Sequence, residues 1–134
     1  MPERIQRRRV KGWRLPAGAK IVDRSSRWGN PFAVRRRDLV PAAWVVVPIR
    51  EMPRFVSGVE VGTIAADTVL ARFESRTEAH ADAVARYRMW FPTSGLDITL
   101  LTGHDLACPC PPEYPCHADV LLELANPTEA THAR

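Results

Sequence analysis

The segment Asp105-Leu106-Ala107-Cys108 passes a short apolar strand to a rigid loop, Pro109-Cys110-Pro111-Pro112-Glu113-Tyr114-Pro115, and the loop passes to an amphipathic run over residues 117–126. Strand, loop and helix joined this closely predict an α/β architecture, with the loop at a strand end and the helix packed back on the sheet. Ala118, Val120, Leu121, Leu124 and Ala125 recur at helical spacing, and Asn126-Pro127 closes the helix. The loop also concentrates the chemistry. All three cysteines of the chain, Cys108, Cys110 and Cys116, fall within nine positions, His117 follows the last, and His104 lies four residues before the first.

Three readings of this loop stand side by side. As a metal site, the three sulfurs plus a histidine make the donor set that zinc favours. Cys116 and His117 are chain neighbours and poorly placed to share one ion, so His104 is the expected fourth ligand. As a ligand site without metal, the free amides at the start of the last helix bind an anion. Cys116 then gains thiolate character from the helix dipole and acts as nucleophile, a neighbouring histidine, His117, is the base, and Asp119 orients the histidine or a sugar hydroxyl. As packing, the thiols are small buried apolar groups. The second reading is favoured: no metal or other cofactor is expected, zinc is the alternative, and Cys116 is expected to be the most reactive thiol.

A second motif, Arg24-Ser25-Ser26-Arg27-Trp28-Gly29-Asn30-Pro31-Phe32, follows the short strand Lys20-Ile21-Val22-Asp23. It offers guanidiniums, hydroxyls, an amide and rings within one turn, a kit for a phosphate and a ring; its alternative role is a turn whose Trp28 and Phe32 plug the core. Arg24, Ser26, Arg27, Trp28, Gly29 and Asn30 are therefore ligand-binding candidates together with Cys108 and Cys110. The two loops are expected to lie side by side, because both follow strands expected to be neighbours.

Charge is divided unevenly along the chain. Residues 1–38 carry a net +9 and residues 39–134 a net −5, within a total of +4. Such asymmetry points to an anionic partner for the N-terminal part, against the alternative of a solvated basic surface. Arg7, Arg8, Arg9, Lys11, Trp13 and Arg14 are the candidate contacts if that partner is nucleic acid. The locality of the kit at 24–32 favours instead a nucleotide-like or phosphate-bearing small molecule, with a nucleotide-directed enzyme as one form of that reading.

No apolar run approaches the roughly 20 residues of a membrane span, and the basic N-terminus is followed by no apolar stretch, so no secretory leader and no membrane partner are expected. A cytoplasmic location is the expectation, and crowded, odd-numbered cysteines do not make a disulfide framework. Residues 77–91 predict the strongest helix, with Ala79, Ala83, Val84, Tyr87 and Trp90 as its stripe and Pro92 as its stop. Residues 44–49 and 55–64 predict strands that pair as a hairpin; 67–73 and 96–101 fit either helix or strand. The whole is expected to be a single compact α/β domain over residues 1–134. A small mixed sheet carries residues 20–23 and 105–108 centrally, flanking helices pack on it, and the 128–134 tail is frayed.

Several of these residues carry a resemblance. Arg4-Ile5-Gln6-Arg7-Arg8-Arg9, Lys11-Gly12-Trp13-Arg14, Arg27-Trp28-Gly29-Asn30-Pro31-Phe32, Tyr87-Arg88 with Trp90, Gly103-His104-Asp105-Leu106-Ala107-Cys108 and Cys116-His117-Ala118-Asp119-Val120-Leu121 together resemble the small bacterial and phage proteins called domain of unknown function 4326. The resemblance implies a compact α/β domain in a phage or bacterial setting and brings no activity with it. Residues 40–73 fall outside the resembling pattern and read as an insertion. Pro109 stands where members commonly have an aromatic residue.

Overall fold

A computed structural model describes residues 1–38 and 41–127. The expected frayed tail, residues 128–134, lies outside the described residues. The architecture is mixed α/β, as the strand-loop-helix pattern predicts. The chain divides into two units, Met1–Gly29 with the described residues from Arg88 onward, and Asn30–Tyr87.

In the first unit, β1 (Arg4–Gln6) and β2 (Lys20–Ile21) flank a central strand from the far end of the chain, Leu106–Cys108. All pairing is parallel: Arg4 to Gln6 register with Leu106 to Cys108, and Lys20 and Ile21 register with Leu106 and Ala107. Leu106, Ala107 and Cys108 are fully buried, as suits a strand with a neighbour on either side. The central place of 106–108 was expected; residues 20–21 take an edge instead, and β1 was not foreseen. Arg4-Ile5-Gln6 has a single apolar residue and no alternation to reveal it, so the pairing partner makes it a strand.

The second unit holds β3 (Phe32–Arg37), β4 (Ala43–Pro48), β5 (Met52–Val56), β6 (Val59–Ile64) and β7 (Ala71–Phe73), which makes Leu106–Cys108 strand β8. One sheet is antiparallel in the order β3-β4-β7, and β5-β6 is a separate hairpin. Where the sequence reading had one small mixed sheet, the described residues form three small sheets. β4 is buried on both faces: Val45 and Val47 cluster with Ala33 and Ala43, while Val46 packs with Ala79 and Ala83, bordered by Phe32, Val34, Trp44 and Phe73. The expected pairing of 44–49 with 55–64 does not form. Ser57 and Gly58 both take positive φ, 50° and 79°, the backbone of a tight hairpin turn, so 52–64 folds on itself. The expected insertion supplies β4 to β7, and β3 was missed because its arginines hide the short apolar start Phe32-Ala33-Val34. Residues 71–73 resolve as strand, and 96–101 as one 3-10 turn, Ile98–Leu101.

Helix α1 (Arg76–Trp90) buries Ala79, Ala83 and Tyr87 along the expected stripe. Ser75 Oγ accepts the Glu78 N–H at 3.3 Å and caps it. Helix α2 (His117–Ala125) buries five of its nine residues, His117, Ala118, Val120, Leu121 and Ala125, while Leu124 turns out exposed. Its C-terminal end is tied down by Thr102 Oγ1 donating to the Ala125 carbonyl at 2.9 Å and Gly103 N–H donating to Asn126 Oδ1 at 2.8 Å.

Gly29 closes the turn after β2. A Cβ there would lie 2.6 Å from Arg24 Cα and 2.8 Å from the Asp23 carbonyl oxygen. Backbone atoms cannot step aside, so Gly29→Ala is expected to destabilise the protein by about 2 kcal/mol, read as a lowered chemical-denaturation midpoint against wild type.

Candidate functional site

The parallel sheet delivers three chain segments to one edge. β1 continues into Arg7, β2 into Val22 and Asp23, and β8 into the cysteine loop. Backbone bonds extend the pairing one step beyond the strands: Arg7 N–H donates to the Cys108 carbonyl at 2.8 Å and Val22 N–H to the Ala107 carbonyl at 2.9 Å.

At this edge the three cysteines converge. Their sulfurs lie within 4.8 Å of one another, Cys108 and Cys116 approach to 3.1 Å, and all three are free thiols. Cys108 and Cys116 are buried, whereas Cys110 is half-buried. His117 is the histidine beside them. Its Nδ1 stands 3.6 Å from Cys116 Sγ, and its Nε2 stands 2.5 Å from the Val22 carbonyl oxygen. A carbonyl only accepts, so Nε2 carries the proton and Nδ1 turns its lone pair to the Cys116 sulfur. His104, the expected fourth ligand, is not in the cluster: its Nδ1 bonds the Gly18 carbonyl at 2.6 Å. Cys116 is extended (φ −140°, ψ 148°) just before the helix begins, and the change of direction there turns the His117 ring against the Cys116 sulfur.

Cys116 is the N-cap of α2. Its sulfur accepts the Ala118 N–H at 3.5 Å, and Asp119 returns a carboxylate to the Cys116 N–H at 3.2 Å, a capping box with sulfur in place of oxygen. Asp119 also pairs with Arg4 at 3.1 Å. It therefore holds the helix start and the loop, where the sequence suggested that it orients the histidine or a sugar hydroxyl. Arg4 grips the same loop through the Pro112 and Tyr114 carbonyls at 2.7 and 3.1 Å.

The three thiols perturb one another. Hydrogen bonds from Cys108, then from Cys116, hold the Cys110 thiol below the ordinary range against the opposing effect of burial. Its hydrogen bond to Cys110 pushes the Cys108 thiol up to about 11. Bonds to Cys108 and Cys110, then burial, push Cys116 up as well. At Cys116, the thiol expected to act as nucleophile, these neighbours and burial oppose the helix dipole, and Cys110 is the more exposed thiol. Burial keeps His117 neutral, opposed by its bond to Val22.

Residues after β2 divide between scaffold and surface. Asp23 is buried and accepts from Arg7 NH1 at 2.5 Å, from Ser25 N at 2.9 Å and from Ser25 Oγ. Ser26 Oγ donates to the Asp23 carbonyl at 2.8 Å and accepts from Trp28 N. Trp28 is buried and stacks on Phe91 with centroids 6.2 Å apart, so it fills the core rather than offering a ring to a ligand. Asn30 belongs to the second unit, where its amide donates to the Ala83 carbonyl at 3.2 Å and accepts from Phe32 N at 2.9 Å. Arg24 and Arg27 remain at the surface, Arg27 over the Trp28 ring at 5.6 Å. Of the two loops expected side by side, the structure joins Val22, which precedes the first, to His117, at the end of the second. Asp23, the residue that organises this turn, was passed over in the sequence; its place just before Arg24-Ser25-Ser26, typical of an Asx turn, was the available signal.

Among the candidates for nucleic acid, Arg7 is committed to Asp23, while Arg8, Arg9, Lys11 and Arg14 are exposed and Trp13 is half-buried. A cleft of about 540 Å³ lies at the other end of α2, lined by Met1, Pro2, Leu122, Glu123, Asn126 and Pro127 among others. It gathers no nucleophile.

A family model described as "Domain of unknown function (DUF4326)" matches residues 5–127. The chain belongs to the DUF4326 family. No curated protein and no solved structure matches it. No helix among the described residues of this DUF4326 protein is long and apolar enough to cross a membrane.

Two outcomes follow for the DUF4326 site. In reduced, metal-free protein, alkylation mapped by peptide mass spectrometry is expected to modify Cys110 first, with Cys108 and Cys116 protected until unfolding; faster labelling of Cys116 would return it as the nucleophile. For Asp23, burial raises the carboxyl, but the Ser25 and Arg7 bonds outweigh it and leave it below its ordinary 3.8. The stabilisation is present above that pH and is lost as pH falls through the depressed native value. Asp23→Asn should therefore cost about 2 kcal/mol near neutrality, and melting curves should show that gap closing under acid.

Proposed function

We propose that this protein binds a nucleotide-like or phosphate-bearing small molecule at the C-terminal edge of its parallel sheet. The observation that supports the reading is the shared edge itself. The segments that follow β1, β2 and β8 leave the sheet together, and α2 begins there. In α/β folds this edge is where ligands bind, because loops converge and helix amides point outward. The basic residues accompany it: Arg8 and Arg9 follow β1, and Arg24 and Arg27 follow β2, all exposed. With Trp28 and Asn30 committed to packing and backbone bonds, recognition rests on the guanidiniums rather than on a stacked ring, which favours the phosphate over the base.

A nucleic-acid reading has one observation in its favour: the exposed run Arg8-Arg9-Val10-Lys11 leads through a turn, Trp13 N–H to the Val10 carbonyl at 3.1 Å, into half-buried Trp13. An enzyme acting on a nucleotide is the reactive form of the first reading, with Cys110, Cys116 and His117 at hand.

Thermal-shift titration with nucleoside mono-, di- and triphosphates and inorganic phosphate tests the proposal, since a ligand that binds only the native state raises Tm. At least one phosphate compound is expected to stabilise the protein, and Arg24→Glu with Arg27→Glu to weaken it by about tenfold or more. No shift with any of them would defeat the proposal. Binding restricted to oligonucleotides, falling steeply with salt and lost in Arg8→Glu with Arg9→Glu, would transfer the function to nucleic acid.

A further inference from the structure

We infer that Cys108, Cys110, Cys116 and the Nδ1 of His117 form a zinc site. The inference does not depend on the phosphate-binding reading, because the ion is held by side chains alone and whether or not a nucleotide binds.

The donor set comes first. The three sulfurs lie within 4.8 Å of one another, and His117 Nδ1, set against Cys116 Sγ, is the nitrogen that completes the donor composition of a closed structural zinc site. Around a tetrahedral zinc the sulfurs stand about 3.8 Å apart and a sulfur and a nitrogen about 3.6 Å apart, from the usual bond lengths. The Cys116 Sγ to His117 Nδ1 distance is 3.6 Å. The Cys108 and Cys116 sulfurs, at 3.1 Å, open outward to receive the ion.

The second observation is independent of the sulfurs. A histidine that binds a metal through one nitrogen donates the other N–H to a carbonyl or carboxylate, which fixes its tautomer and the plane of its ring. His117 is arranged in this way: its Nε2–H donates to the Val22 carbonyl at 2.5 Å, and Nδ1 faces Cys116 Sγ at 3.6 Å. The ring is buried and at the first position of α2, so it cannot swing away.

The third concerns charge. Zinc takes thiolates, so each thiol releases its proton to solvent on binding. Three thiolates, one neutral imidazole and Zn²⁺ leave a net charge of −1. Arg4 lies close enough to act electrostatically on Cys110 and is anchored to the loop carbonyls of Pro112 and Tyr114. Its guanidinium offsets that charge. Pro109, Pro111 and Pro115 limit the loop's freedom, so little order has to be imposed when the ion binds.

The experiment uses the full chain purified under reducing conditions without chelator. Elemental analysis is expected to find about one zinc per chain. After chelation, Co²⁺ added to wild-type protein is expected to give tetrahedral ligand-field bands with thiolate-to-cobalt charge transfer, and Zn²⁺ to displace it. His117→Gln is expected to weaken metal affinity by at least about tenfold, whereas His104→Gln leaves it unchanged. Wild-type protein without zinc, and without charge transfer on adding Co²⁺, overturns the site, as does a Cys108–Cys116 disulfide in its place. Equal loss of affinity in the two histidine variants overturns the ligand set. The cobalt spectrum of wild type decides the matter even if His117→Gln fails to fold.

Discussion

Strand β8 is three residues long, and the first unit depends on it. Leu106, Ala107 and Cys108 are hydrogen-bonded to a parallel neighbour on either side and expose nothing to water. A strand in that position tolerates no slip, because a shift of one residue would turn its side chains to the opposite faces. Its last residue is Cys108, so the sheet that orders the strand also fixes the first sulfur of the cluster. The carbonyl of Val22, one step beyond β2, then receives His117 from α2. Sheet, loop and helix are thereby locked at one point by a bond between a buried ring and a backbone oxygen.

The arginines of the N-terminal region divide by their partners, not by their sequence. Arg4 and Arg7 are used internally: Arg4 holds the cysteine loop and Asp119, and Arg7 neutralises buried Asp23. Buried carboxylates need such partners, since an unpaired charge away from water is strongly unfavourable. Arg8, Arg9, Arg24 and Arg27 are exposed at the surface. The same division runs through the second unit, where Arg36 and Arg76 lie over the Trp44 ring at 5.8 and 5.2 Å. A basic stretch is thus part scaffold and part surface, and only the scaffold part has a fixed geometry.

Local patterns were legible wherever a segment's own residues decide its state. The stripe Ala79-Ala83-Tyr87, the stop at Pro92, the strand into Cys108 and the helix beginning at His117 all stand in the structure as the sequence reads. Strands with a weak pattern of their own were not legible. Arg4–Gln6 is a strand because β8 lies beside it, and the 52–64 hairpin closes on itself because Ser57 and Gly58 take positive φ.

The sequence by itself determined the α/β class, the family, and the crowding of three thiols and a histidine at the end of a strand, because periodicity, proline placement and residue spacing are local properties. Only the tertiary structure decided which groups face one another. It set His117 rather than His104 beside the Cys116 sulfur, left Cys110 the most exposed of the three thiols, and gave Trp28 and Asn30 to packing and backbone bonds. The physical reason is the same in each case. Hydrogen-bond partners and burial come from segments distant in the chain, and a carbonyl at Val22 or Gly18 leaves no mark in the spacing of the residue it holds.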